Sequence, residues 1–150
     1  MYERDRKKVR TLSLINAFIE ELYTGIRYTG STIEEMLVEC ADNSSYSNLI
    51  FLKTIKNEIC GRGMTRDTMK NAVLNSVATM NMTFDELQPL MTISEKLGTT
   101  DIEGQLKMLD VCKVQVAEQR TQAIKRCDAF GKMYISLGFL LGLGTAVILA

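Results

Sequence analysis

The C-terminal segment constrains the fold of this chain more than any other feature. Its last eighteen residues, 133–150, read MYISLGFLLGLGTAVILA and contain no charged side chain. A helix needs about 17–25 mostly apolar residues to cross a bilayer, so the segment is long enough. The alternative is a soluble regulator with a buried C-terminal helix, but a domain of this size has little interior to surround such a helix on every side. We therefore predict a transmembrane anchor from Met133 to Ala150.

Several residues within this segment are typical of membrane helices. Tyr134 lies near its start, where an aromatic ring is favourable at the membrane interface. Gly138 and Gly142 form a GxxxG pattern, and Gly144 adds a further small residue. Small residues at this spacing allow two membrane helices to approach closely. The pattern indicates either helix–helix self-association in the membrane or a chance spacing in a glycine-containing segment.

The charges around the apolar segment predict its orientation. Basic residues precede it and no charged residue follows it. The basic flank consists of Arg120, Lys125, Arg126 and Lys132. Because positive residues favour the cytoplasmic side of a membrane, we predict that residues 1–132 form a cytoplasmic domain. A second basic cluster at the N-terminus consists of Arg4, Arg6, Lys7, Lys8 and Arg10. This cluster either contacts anionic lipid headgroups or forms a solvated first helical turn.

The rest of the chain has the three- and four-residue apolar spacing of amphipathic helices and no convincing strand pattern. The apolar stripe of the first predicted helix consists of Val9, Leu12, Ile15, Ile19, Leu22 and Ile26. From Asp101 onward the only helix breakers are glycines, most of them inside the apolar tail, which predicts one long final helix. The predicted fold is all-α, an antiparallel bundle of about six helices whose last helix continues into the membrane as a C-terminal transmembrane helix.

Local signals predict where the other helices begin and end. Residues 31–34 and 83–86 each have a hydroxyl residue followed three positions later by glutamate, which is the spacing of a capping box. Apolar spacing predicts helices over about 46–59 and 65–80, separated by glycines that end the first of them.

The composition gives no support to catalysis, metal binding or nucleic-acid binding. The chain has no histidine to act as a general base and no GxxxxGK[ST] phosphate loop. Its formal net charge is zero, which gives no sign of a nucleic-acid partner. The cysteines are Cys40, Cys60, Cys112 and Cys127. They form no CxxC pair and are expected to be small buried thiols in a reducing compartment. We therefore predict a non-catalytic protein without a cofactor.

Two stretches near the last predicted helix carry a resemblance to a known family. Residues 97–101 read LGTTD and are followed by Glu103 and Gln105, while residues 132–138 read KMYISLG. Further matching residues are Glu118, Gln119, Leu141 and Gly142, and in the first helix Arg10, Leu12, Phe18, Glu20, Glu21, Leu22 and Tyr28. In order and spacing these residues resemble the stage III sporulation protein AB family over nearly the whole chain. In that family a Leu-Gly-x-x-Asp-x-x-x-Gln stretch opens the last soluble helix, and a Lys-x-Tyr-x-Ser-Leu-Gly stretch enters the last membrane span.

The sequence departs from that family at two places. Family members typically have a membrane span before the basic first helix, whereas this sequence begins with Met1, Tyr2 and Glu3. We expect either that the true start lies upstream or that this member has a single anchor. Residues 31–33 read STI where the family often has Thr-Pro-Leu. A serine cap starts a helix as well as a proline at its first position does.

The resemblance implies a role in endospore formation, in the assembly that links the mother cell to the forespore. The family is similar to inner-membrane platform proteins of type II secretion and type IV pilus systems, so a scaffold in the mother-cell membrane around the forespore is implied. The implied partners are the cognate secretion-type ATPase and other membrane components of the channel. Motif matching selects Asp101, Glu103, Gln105 and Glu118 as candidate docking residues. Their alternative roles are helix capping for Asp101 and ordinary solvation for the other three.

Two other functions remain open at the level of the sequence. One is a tail-anchored helical adaptor of another membrane complex, which would differ from a platform protein in its partners. The other is a membrane-tethered enzyme that uses carboxylates, which would need a cleft with two facing acidic side chains. Adjacent acidic residues such as Glu20 and Glu21 point about 100° apart on a helix, so they are better interpreted as solvated faces.

Overall fold

The computed structural model describes residues 2–63, 67–80, 82–98 and 101–149, with side-chain surroundings described in these ranges except at 2–5, 78 and 128–149. The helices are α1 (Tyr2–Thr24), α2 (Ile33–Asp42), α3 (Ile50–Arg62), α4 (Thr68–Asn75), α5 (Val77–Met80), α6 (Gln88–Lys96) and α7 (Ile102–Leu149). A π-helical turn, Gly25–Thr29, extends α1, and a 3-10 turn, Ser44–Tyr46, precedes α3. No strand occurs in the described ranges, which confirms the predicted all-α class.

The apolar stripe of α1 lies at the centre of the hydrophobic core, as predicted. Its fully buried members are Leu12, Ile15, Ile19 and Leu22, and its half-buried members are Val9 and Ile26. Phe18, also fully buried, packs edge to face against the rings of Phe51, 5.8 Å away, and Tyr46, 6.4 Å away. Aromatic rings prefer this arrangement, and burying a side chain of this size stabilises the fold by about 1.5–3 kcal/mol. These contacts join α1 to α3 and to the 3-10 turn.

α7 packs along α1 in the antiparallel direction. The Lys113 ammonium lies 3.0 Å from the Glu20 carboxylate and 5.9 Å from the centre of the Tyr23 ring. In the π-helical turn that extends α1, the pKa of Arg27 is raised above its usual value, mainly by the hydrogen bond that its guanidinium donates to the Tyr23 hydroxyl and to a smaller extent by the Glu103 carboxylate. Later residues of α1 therefore lie beside earlier residues of α7. This register determines which parts of the two helices share an end of the bundle.

The capping boxes show one prediction that is correct and one that is displaced. The Glu86 N–H donates to the Thr83 hydroxyl at 3.3 Å and the Thr83 N–H donates to the Glu86 carboxylate at 3.4 Å, as predicted. At α2 the box is formed by Thr32 and Glu35, so the prediction of Ser31 with Glu34 is wrong by one residue. Both registers offer a hydroxyl and a carboxylate at the required spacing. The Ser31 hydroxyl accepts a hydrogen bond from Thr29 in the preceding turn and is not the cap.

Two predicted helix boundaries also differ from the structure. The helix expected from residue 46 begins at Ile50, because the Asn43 side chain accepts from the Ser45 N–H and holds a 3-10 turn first. The helix expected over 65–80 is divided at Ser76, which lies in a turn between α4 and α5. The buried Ser76 hydroxyl donates to the Val73 carbonyl at 2.8 Å. A serine side chain that bonds the preceding turn competes with the continuing helix for its carbonyls.

The predicted long final helix is confirmed, since α7 comprises 48 residues without interruption. Among the residues whose side chains the structure describes, no helix has an apolar stretch of the length that a membrane span requires. The residues assigned to the predicted anchor are Met133, Tyr134, Gly138, Gly142, Gly144 and Ala150. They lie outside the residues whose side chains the structure describes, as does Lys132 of the basic flank. The anchor and the boundary between domains 1–132 and 133–150 therefore stay predictions.

Candidate docking surfaces

The candidate docking residues at the start of α7 belong to a folded turn. Asp101 is exposed and caps the helix, because the Gly104 N–H donates to its carboxylate at 3.0 Å and the Gln105 N–H donates to its carbonyl at 3.0 Å. Asp101 thus fulfils the capping role that was its alternative, while its exposed position leaves it accessible to a partner. An acidic cap is also favoured by the helix dipole.

Gln105 has a structural contact instead of a surface position. Its side chain is buried and its amide oxygen accepts a hydrogen bond from the Gly98 N–H at 3.2 Å. Gly98 has a positive φ of 82°, and a Cβ atom there would lie 3.1 Å from the Ile33 side chain. The glycine and the glutamine of the family-like stretch together hold the turn between α6 and α7. A motif match alone did not distinguish this internal residue from its exposed neighbours.

Glu103 and Glu118, the remaining candidates, lie on one exposed face of α7. We call this face the outer stripe, and it consists of Glu103, Lys107, Val111, Val114 and Glu118. Steps of three and four residues place these side chains in one row along a helix. The two valines are 58% and 67% exposed, so an apolar centre lies between charged ends. A protein interface commonly has this arrangement of an apolar centre with a polar rim.

Glu118 also borders a groove between α7 and the start of α6. This glutamine groove has a volume of about 330 Å³ and is lined by Asp85, Gln88, Pro89, Gln115, Glu118, Gln119 and Gln122. The Gln119 amide nitrogen donates to the Asp85 carbonyl at 3.1 Å. The amide oxygen of Gln119 is shielded from solvent and has no hydrogen-bond partner. The groove therefore offers a partner the exposed carboxylate of Glu118, whereas the Gln119 oxygen is not accessible.

A second groove, between α1, the π-helical turn and α2, is acidic. It has a volume of about 710 Å³ and is lined by Ala17, Glu20, Glu21, Thr24, Gly25, Thr29, Ser31, Met36, Glu39, Asn43 and Tyr46. The buried Cys40 thiol donates to the Glu21 carboxylate at 3.1 Å. Burial and the neighbouring Glu21 raise the pKa of Cys40 and also the pKa of Tyr46 well above their usual values. Cys40 is therefore protonated at neutral pH and is not an activated nucleophile.

The other cysteines correct one expectation and confirm another. All four are free thiols, and Cys112 is buried like Cys40, as expected. Burial raises the pKa of Cys112 above its usual value. Cys127 is only partly buried and Cys60 is exposed at the end of α3, so the expectation of buried thiols is wrong for Cys60. Among the side chains that the structure describes, no group of three or more potential ligands is placed to hold a metal ion.

The described part of the basic flank lies on α7 beyond the glutamine groove. Arg120, Lys125 and Arg126 are all exposed, and they occupy the last turns before the residues whose side chains are not described. This position agrees with a basic region between the helical body and the apolar tail.

A family model described as stage III sporulation protein AB matches residues 1–150 of the chain. The chain belongs to the stage III sporulation protein AB family. No curated protein and no solved structure gives a significant match to it. Family membership confirms the resemblance drawn from the sequence motifs and assigns the chain a sporulation-related role.

Sequence reasoning about this family member missed the contact between Glu21 and Cys40. Glu20 and Glu21 are both exposed, as their interpretation as solvated faces predicts. The Glu21 carboxylate nevertheless reaches across to α2, because the side chains of α1 and α2 meet at the acidic groove. Only the packing of two helices separated by a turn brings these residues together, so no spacing within the sequence signals the contact.

Proposed function

We propose that this member of the stage III sporulation protein AB family is a non-catalytic platform protein anchored in a membrane. Its helical body docks the cognate secretion-type ATPase and connects it to other membrane components of the mother cell–forespore channel. The observation that carries the proposal is the continuity of α7. This single helix bears the outer stripe near its start and extends without interruption to Leu149 in the apolar tail.

The length of α7 suits a rigid connection. At ~1.5 Å per residue the helix is about 70 Å long, and Glu103 lies about 45 Å from the first residue of the predicted anchor. Roughly the first half packs on α1 and α6, with Leu109, Cys112 and Val116 buried against the core. A movement of the docked partner would therefore be transmitted along the helix axis and not absorbed by a loop.

The outer stripe is the proposed docking surface for the ATPase. Val111 and Val114 are large apolar side chains that the body leaves exposed, and the acidic residues Glu103 and Glu118 bracket them. Truncating or charging central apolar residues of an interface typically has the largest effect on affinity, whereas changes at the rim have small effects. Asp101 lies two residues before the stripe and extends its acidic end.

The proposal is tested by measuring the affinity of the full chain, in a mild detergent, for the ATPase encoded nearest to it in the source genome. We expect saturable binding by the native chain. Replacing both valines, Val111→Glu with Val114→Glu, should weaken binding by about 2 kcal/mol or more, which is roughly thirtyfold. A matched control is Ile50→Glu at the first position of α3, where an acidic residue is tolerated by the helix dipole.

The control variant should bind like the native chain. Equal weakening by the control and the valine variant would show that the outer stripe is not the docking surface. If the folded native chain binds no ATPase at all, the platform function is refuted, and a tail-anchored adaptor of another complex becomes the better account.

A further inference from the structure

We infer that two basic segments far apart in the sequence form one basic collar at the end of the body that leads to the apolar tail, and that this collar binds the anionic headgroups of a phospholipid bilayer. The collar consists of Arg6, Lys7, Lys8 and Arg10 of α1 and Arg120, Lys125 and Arg126 of α7. The inference rests on the proposed function in one respect, since it takes residues 133–150 to be the membrane anchor.

The antiparallel register of α1 and α7 brings the two segments to the same level. Lys113 contacts Glu20 at 3.0 Å, which aligns these two positions. Twelve residues back along α1 is Lys8, and twelve residues forward along α7 is Lys125. Both steps cover about 18 Å at ~1.5 Å per residue, in the same direction along the bundle. The basic start of α1 is therefore level with the basic flank of α7.

A shared turn gives direct support for this arrangement. The Lys8 ammonium lies 2.8 Å from the Glu86 carboxylate. The Gln119 amide donates at 3.1 Å to the carbonyl of the adjacent residue, Asp85. Asp85 and Glu86 are consecutive residues of one turn. Glu86 contacts Lys8 of α1, and Asp85 contacts Gln119 of α7, the neighbour of Arg120. The segments are held together by defined contacts as well as by the packing of the two helices.

The charge of the chain is distributed unevenly along the bundle. Residues 1–10 carry five basic and two acidic side chains, and residues 120–132 carry four basic and one acidic. Since the whole chain has 18 of each sign, the remaining residues carry six more acidic than basic side chains. Glu86 offsets Lys8, and Asp85 is a further acidic residue at this end, whereas Lys7, Arg10 and Lys125 are exposed. An anionic surface would attract this end and repel the rest of the body.

The apolar tail identifies the anionic surface as a bilayer. Lys125 precedes Met133 by eight residues, or about 12 Å of helix, and the polar region of a bilayer is about 5–8 Å thick on each side of the hydrocarbon core. A chain anchored by the tail would therefore hold Lys125 a few ångströms outside the headgroups, within the Debye length of about 8–10 Å over which a basic side chain is attracted to them. There the collar would fix the tilt of the body and direct the outer stripe away from the membrane.

Spin-label EPR on the full chain reconstituted in phosphatidylcholine bilayers tests the collar. It measures the preference of the protein boundary for spin-labelled phosphatidylglycerol over spin-labelled phosphatidylcholine. The collar variant Lys7→Gln, Arg10→Gln, Lys125→Gln is compared with the control Lys53→Gln, Arg62→Gln, Lys107→Gln. Both remove two lysines and one arginine at exposed positions. Lys107 lies 18 residues before Lys125 on α7, and α3, which carries Lys53 and Arg62, contacts α1 through Phe51 and Phe18, ten residues beyond Lys8.

We expect the native chain and the control to prefer the anionic lipid at low salt. In the collar variant this preference should fall by a factor of about three or more. The factor is smaller than the fivefold per charge that ~1 kcal/mol represents, because salt screens exposed charges. No preference in the native chain, or an equal loss in both variants, would overturn the inference.

Failure of the native chain to float with neutral vesicles would instead refute the anchor. If the anchor is refuted, the collar is tested by salt-sensitive binding of the chain to anionic vesicles. Loss of this binding in the collar variant but not in the control would uphold the collar. No such binding by the native chain would overturn it. Displacement of the native chain from anionic vesicles by duplex DNA of equal charge would overturn the lipid assignment.

Discussion

The ion pair between Lys8 and Glu86 should stabilise the body more than an exposed pair of the same chemistry. The two side chains are only 10% and 17% exposed, whereas those of Lys56 and Asp42, which also form an ion pair, are 37% and 56% exposed. Exposed pairs contribute about 0.2–1 kcal/mol, and breaking a fully buried pair costs about 3–5 kcal/mol. The Lys8 pair lies between these limits, so we expect a coupling energy of about 1–2 kcal/mol.

A double-mutant cycle with Lys8→Met and Glu86→Gln measures this coupling energy. Glutamine at position 86 can still accept a hydrogen bond from the Thr83 N–H, as glutamate does in the capping box. The substitution therefore removes the charge and retains the cap. The cycle is read from chemical denaturation of the full chain in a neutral detergent, followed by circular dichroism. A parallel cycle with Lys56→Met and Asp42→Asn should give less than about 0.5 kcal/mol.

Equal coupling energies in the two cycles would refute the reasoning, because burial would then have no influence on the pair. A value near zero for Lys8 and Glu86 would also show that this contact does not fix the N-terminal part of α1 against the turn before α6. The register on which the basic collar depends would then rest on the packing of α1 and α7 alone.

Three further predictions concern the internal contacts of the body. Gln105→Leu should destabilise the body by about 0.5–1.5 kcal/mol in the same denaturation assay, because it removes the acceptor of the hydrogen bond that the Gly98 N–H donates. Gly25→Ala should cost about 1–3 kcal/mol, since the new Cβ would overlap the Met36 sulfur, and adding Met36→Ala should recover part of that loss. The raised pKa of Cys40 means that the folded state retains this proton longer than the unfolded state, so its contribution to stability is complete below about pH 9 and declines at higher pH. In the folded chain a maleimide should therefore modify the exposed Cys60 well before Cys40, and equal rates would contradict the described burial.

The sequence predicted the long-range plan of the fold where the signal was periodic. The stripe of α1, from Leu12 to Leu22, is buried as expected because a helix repeats its faces every three to four residues whatever packs against them. The uninterrupted α7 was predicted for the same reason, and no proline follows Asp101. Short motifs distributed over the chain indicated the family, and the family model matches residues 1–150.

The errors arose where two local solutions were equivalent or where tertiary contacts decided. Ser31 and Thr32 are equally capable caps, and the turn around Thr29 determined which one was used. Gln105 and Glu103 are both polar residues of one helical turn, yet only the proximity of Gly98 makes Gln105 internal. The docking candidates were therefore partly correct in position and could be separated only by their burial.

The most direct test of the account is whether the chain carries its ATPase to a membrane through the outer stripe. The full chain is reconstituted into vesicles, the ATPase is added, and the vesicles are floated through a density gradient. The account predicts that the ATPase floats with vesicles that contain the native chain or the Ile50→Glu control. It also predicts that the ATPase stays at the bottom when the chain carries Val111→Glu and Val114→Glu, although that chain itself floats. An ATPase that never floats, or that floats equally with the valine variant, would contradict the claim that α7 links a docking surface to the bilayer.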